Sequence, residues 1–161
     1  MISRLTLMLR VAAFTAIVSG LIGGAVWFTD LVDRSAGDDL RWGFWHNPLM
    51  NFTPFHEPSL EASMWVLFCC AAVIGLGGLL LSCGAGVGRL LIVAQAPVAI
   101  ATNSAVVVAF LWTSAGAAHV YWTTAALSLR LGSIAVDGAL WWFLTRGEVV
   151  RRFSVVVTSH S

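Results

Sequence analysis

Leu90 to Trp112 runs without a single charged side chain. A helix of about 20 mostly apolar residues crosses the hydrocarbon of a bilayer. Three other stretches share this character: Val11–Phe28, Met64–Cys83 and Ala117–Leu144. Hydrophobic residues are 58% of the 161, and charged ones are only 11%. Soluble domains carry about 25% charged residues. The chain therefore reads as all-α, a single polytopic membrane domain over 1–161. Its four transmembrane helices fall at 11–28, 64–83, 90–112 and 117–144. Arginines ahead of an apolar run also open signal peptides, but the first run is read here as a retained helix. Pro97 lies inside the third span and is expected to kink it, because proline lacks the N–H of the helix ladder.

Arginine placement gives the topology. There is no lysine, so all nine basic residues are Arg. Four spans put both termini on one side, and Arg4, Arg10, Arg89, Arg146, Arg151 and Arg152 fall there. Arg34 and Arg41 fall opposite. Arginine excess marks the cytoplasmic side, or the matrix side of a mitochondrial inner membrane. The expected location is thus a bacterial plasma membrane or a mitochondrial inner membrane, with both termini cytoplasmic or matrix-facing. A net charge of +1 offers no basic patch for phosphate reading, which argues against a nucleic-acid partner.

The segment from Asp30 to Glu61 is the large outer loop. It is acidic, with Asp30, Asp33, Asp38, Asp39, Glu57 and Glu61, and aromatic, with Trp42, Phe44, Trp45, Phe52 and Phe55. Such rings favour the headgroup level. The loop reads either as an interfacial segment lying on the bilayer or as a docking surface for a partner subunit. Trp42, Trp45, Phe52 and Phe55 are its candidate contacts.

Several motifs are weaker than they look. Cys69, Cys70 and Cys83 read as apolar filler of the second span, with a soft-metal relay as the sharper option. "GAGVGR" at Gly84–Arg89 lacks the lysine and hydroxyl of a phosphate loop and reads as a tight turn. Gly20 with Gly24, and Gly84 with Gly88, form GxxxG pairs that let helices pack closely in lipid. Gly75, Gly77 and Gly78 extend those faces. His46, His56 and His160 show no ligand spacing of a metal site. Only His119 is on a span, so a haem held between two histidines is not expected. No motif asks for a cofactor or a metal.

The fourth span carries His119, Arg130 and Asp137 at spacings of 11 and 7 residues. At about 100° per residue these steps return close to the same direction, so the three share one helix face. A charge at mid-membrane costs at least about 2.5–3.5 kcal/mol and usually faces a partner or a watery cavity. No other span contains an acid. Either Arg130 and Asp137 meet through a long side chain or water, or their partners lie on another chain. They then serve as assembly contacts, line a proton path, or bind an anionic substrate.

"LSLRLG" at Leu127–Gly132, followed by Gly138 and Leu140, resembles the arginine helix of the a subunit of F-type ATP synthases. The resemblance covers about 14 residues. It implies for Arg130 the role of the arginine that faces the rotating ring's carboxylate. Ile134 and Ala139 stand where that family usually has Asn and Glu or His.

The function expected is a non-catalytic membrane subunit of a larger energy-transducing complex, of respiratory or ATP synthase type. Other integral-membrane subunits and lipids are its partners, and Arg130, Asp137 and His119 supply pairing or part of a proton path. An a-type proton-translocating subunit and a small transporter or lipid-handling protein are the alternatives. The topology is testable with single cysteines at Ser35 and Ser154. Each should react with an impermeant reagent from opposite sides only; reaction of both from one side refutes four spans with this orientation.

Overall fold

A computed structural model of the chain describes residues 4–35, 57–113 and 120–154. These residues form five helices and no strand: α1 Arg4–Ser35, α2 Glu57–Ser82, α3 Gly86–Thr113, α4 Val120–Leu144 and α5 Gly147–Ser154. Four of them contain stretches long and apolar enough to cross a membrane: Arg4–Phe28, Ala62–Ser82, Gly86–Val108 and Leu127–Leu144. The aromatic candidates Trp42, Trp45, Phe52 and Phe55, and the histidines His46, His56, His119 and His160, lie outside the described residues.

The helices outrun the apolar spans at several ends. α1 begins at Arg4 rather than Val11, and α2 at Glu57 rather than Met64. Hydropathy marks where apolar side chains stop, whereas backbone hydrogen bonding continues through good helix formers such as Arg and Glu. Pro58 sits in the first turn of α2, where a missing N–H breaks no intrahelical bond. Pro97 lies inside α3, which runs on to Thr113.

α2 ends at Ser82, so Cys83 belongs to the turn and not to the span. Gly84 adopts φ +80°. Its N–H donates to the Leu81 carbonyl at 3.0 Å, and the Ala85 N–H donates to the Leu80 carbonyl at 2.9 Å. This pair of bonds around a left-handed glycine closes the helix C-terminus and satisfies its last carbonyls. The chain reverses there and α3 starts within two residues.

The four long helices run alternately up and down. α1 meets α2 through residues with little or no side chain. A Cβ on Gly20 would lie 2.5 Å from the Gly75 Cα, and one on Gly78 would lie 2.8 Å from the Ala13 carbonyl oxygen. α2 meets α3 the same way, with Gly88 set against the backbone of Leu80 and Leu81 and against Gly77. In lipid such close approach replaces the hydrophobic drive available in water. The GxxxG spacings mark these faces only in part. Gly24 has open space around it among the described residues, and Gly84 is the turn residue rather than a packing residue. Spacing identifies a face, but it does not say what lies opposite.

A buried apolar layer fills the end of the bundle that carries Arg4, Arg89 and Arg146. It includes Leu9, Ala13, Ile74, Ile92, Leu140 and Leu144. α5, which the span pattern does not foretell, closes this layer. Val149 is buried in it, Phe153 packs against it, and Arg151 and Arg152 stay exposed. Glu148 in the first turn and the two arginines in the last suit the helix dipole. Arg152 Nη1 ties α5 to Thr6 Oγ1 of α1 at 3.0 Å. Arg89 Nε donates to the Leu144 carbonyl at 2.8 Å, capping the C-terminus of α4.

Outward faces are apolar, with Phe14, Leu21, Leu76, Leu79, Leu111 and Trp142 among the exposed side chains. Two substitutions separate packing from spacing. Gly20→Ala should destabilise the bundle by about 1–3 kcal/mol through overpacking. Gly24→Ala should stay within about 0.5 kcal/mol. Thermal unfolding in mild detergent reads both, and equal losses would mean that the Gly20–Gly75 approach does not hold α1 to α2.

Candidate functional site

The buried polar side chains among the described residues gather between α3 and α4. Gln95, Asn103, Arg130 and Asp137 are 7%, 1%, 7% and 5% exposed. Inside a bundle with apolar outer faces they form a buried polar row. Gln95, Ala99 and Asn103 are four residues apart in turn, which places them on one stripe of α3. Arg130, Ser133 and Asp137 occupy one stripe of α4 by the same rule. The helices run antiparallel, so the low-numbered end of one stripe meets the high-numbered end of the other.

At one end of the row, Gln95 Nε2 donates to Asp137 Oδ1 at 3.3 Å. Ser133 Oγ, one turn back along α4, donates to Asp137 Oδ2 at 3.4 Å. Both bonds are at the long limit of their class. Gln95 Oε1 is buried with no hydrogen-bond partner. Cys70, buried on α2, lies within Coulombic reach of Asp137.

At the other end, Arg130 Nη1 donates to Asn103 Oδ1 at 3.3 Å. Asn103 is itself fixed by donating Nδ2 to the Ala99 carbonyl at 3.0 Å. The guanidinium also stands over the Trp27 ring, 4.8 Å from its centroid. A desolvated cation over an indole gains about 2 kcal/mol. Arginine suits this place because its delocalised charge is weakly hydrated and its flat face stacks.

The structure thus places Arg130 and Asp137 on the interior of the bundle, each held by a different residue of α3. Their Cα atoms are about 10 Å apart along the helix, from seven residues at about 1.5 Å each. The sequence left a direct meeting or partners on another chain; the structure adds neutral amides of the same chain. Gln95 and Asn103 are neutral, so the charge pattern of the third span does not mark them. Two amides eight residues apart in an otherwise apolar run were the available signal, since a polar side chain in lipid needs a partner. Trp27 likewise carried no sequence signal beyond its place at the end of an apolar run.

The cysteines are free, with Cys69 and Cys83 exposed and Cys70 buried. Among the described residues no group of three or more His, Cys, Asp or Glu is placed to hold a metal ion. No protein-family model matches the chain, and neither a curated protein nor a solved structure matches it.

Asn103→Leu tests the Arg130 end. It leaves a buried guanidinium short of one acceptor and should cost about 1–3 kcal/mol. The readout is the unfolding temperature in mild detergent. An unchanged value would mean that the Asn103 bond contributes nothing to holding Arg130.

Proposed function

We propose that the chain is a non-catalytic integral-membrane subunit of a larger energy-transducing complex, and that its α3–α4 polar row is part of a proton path. One observation carries the reading: a carboxylate, Asp137, is 5% exposed inside the bundle and, among the described residues, bonded only to neutral side chains. An ionisable group in that place is costly unless it is used. Asp137 can take up and release a proton, Ser133 and Gln95 touch it, and the row continues toward Asn103 and Arg130.

The need for partners follows from energetics. A single carboxylate holds a proton but does not drive it. Directed transport requires a coupled reaction, and the chain carries no nucleotide-binding or redox motif to supply one. That reaction belongs to neighbouring subunits, for which the apolar outer faces offer contact area. The arginine distribution supports an orientation with both termini on the cytoplasmic or matrix side.

The channel-arginine role implied by the short resemblance asks Arg130 to face a carboxylate on another chain. Its burial against Trp27 and Asn103 favours an internal role instead. The same burial disfavours assembly contacts made through Arg130 or Asp137.

Two measurements test the reading. In mild detergent the chain should co-migrate with other membrane proteins on a native gel; solitary migration removes the subunit role. Asp137→Asn keeps the shape, leaves one oxygen to accept from Gln95 and an amide nitrogen that the Ser133 hydroxyl can accept from, but cannot carry a proton. It should leave assembly intact and abolish proton-coupled activity in vesicles, and full activity in this variant removes Asp137 from the path.

A further inference from the structure

Asp137 and Gln95 have complementary unmet needs. An ionised carboxylate offers about four acceptor sites. Here Asp137 receives two bonds, both long and both from neutral donors. Among the described residues the Arg130 guanidinium donates to Asn103 and stands over the Trp27 ring. Beside Asp137, Gln95 Oε1 is a buried oxygen with no hydrogen-bond partner among the described residues. The carboxylate calls for positive charge, and the amide oxygen calls for a donor or a cation. A small cation at the carboxylate would meet the first need directly and the second once the amide turns over, with Nε2 giving up its bond to Asp137.

We propose that Asp137, Gln95 and Ser133 form a binding site for a small monovalent cation of the sodium class, which competes with the proton for the same carboxylate. This rests on the reading of Asp137 as the ion-handling group and goes further by naming a second ion. The ligand set is Asp137 carboxylate oxygen, Ser133 Oγ and Gln95 Oε1. All three are hard oxygen donors of the kind that hold alkali and alkaline-earth ions rather than soft metals. Charge favours the monovalent ion: the buried Arg130 already carries a fixed positive charge, and a divalent ion would add twice the positive charge to the bundle interior. Gln95 acts as the adapter. With no ion present, its Nε2 donates to the Asp137 carboxyl, as observed. With a cation present, the amide turns over and Oε1 becomes a ligand. The Gln95 oxygen that lacks a partner is the atom that the ion would recruit. Cys70, buried on α2, lies within Coulombic reach of Asp137, and a thiol is not a hard ligand.

A hydrophobic carbodiimide distinguishes the occupants, because it modifies protonated carboxyl groups in apolar surroundings. The full chain is used in mild detergent with its native partners, and modification of Asp137 is read on its peptide by mass spectrometry. In choline chloride Asp137 should be modified. Sodium should slow the modification in a saturable manner at constant ionic strength and pH. Gln95→Leu keeps the volume but removes the amide oxygen. It should raise the sodium concentration needed for half-protection by about tenfold, the equivalent of one lost ligand bond. Modification that proceeds equally in sodium and choline overturns the cation site and leaves the proton path standing. Absence of modification in both overturns the cation site and the proton path together. Sodium protection that is unchanged in Gln95→Leu removes the amide from the site and overturns the proposal as stated.

Discussion

Two ionisable groups buried seven residues apart on one helix constrain everything around them. Their cost is met only if α3 presents an amide opposite each one. Gln95 and Asn103 do so in a single antiparallel register. Sliding α3 by one turn, about 5.4 Å, would set both charges against apolar side chains. Apolar faces alone specify little in lipid, because tails are as greasy as leucine. The polar row therefore fixes register as well as holding charge. The short turn at Gly84 ties α3 to α2, and through it the rest of the bundle inherits that register.

The two halves of the bundle are held by different physics. α1 and α2 approach through Gly20, Gly75 and Gly78, where there is no room for a Cβ. That contact is stiff, since backbone meets backbone. α3 and α4 meet instead through side chains, and the bonds to Asp137 and Arg130 are 3.3–3.4 Å long. Such bonds shorten or exchange partners with small movements. The interface that carries ionisable groups is thus the adjustable one, seated on a rigid pair. Arg89 capping α4 and α5 closing the apolar layer restrain the same two helices at one end.

How much of this was legible follows from what hydropathy records. Four spans stood out because apolar runs of that length have few other uses. The shared face of Arg130 and Asp137 also followed, since seven residues nearly complete two turns. Gln95 and Asn103 did not. A neutral amide barely changes the character of an apolar run, and its role appears only once α3 and α4 are known to be antiparallel neighbours. Gly24 and Gly84 were read by spacing, which is blind to the opposing surface and to a left-handed turn. α5 was hidden because eight residues rich in charge look like a tail. Its burial depends on Val149 and Phe153 finding a layer that the other helices build.

The contrast between the two charges explains why both are present. Arginine does not lose its proton in a protein. Arg130 must therefore be compensated permanently, and its partners are durable: an asparagine pinned to its own helix and the face of an indole on α1. Because α1 and α4 touch sparingly elsewhere, this stack helps to close the ring of helices. Asp137 can change state, and its surroundings differ accordingly. Its two bonds are long, its nearest amide has a free oxygen, and no guanidinium clamps it. Full solvation by the protein would fix the carboxylate in one state and make exchange slow. On the proposed proton path, the lean coordination of Asp137 would keep both states within reach, while the fixed charge two turns away would hold the frame in which they interchange.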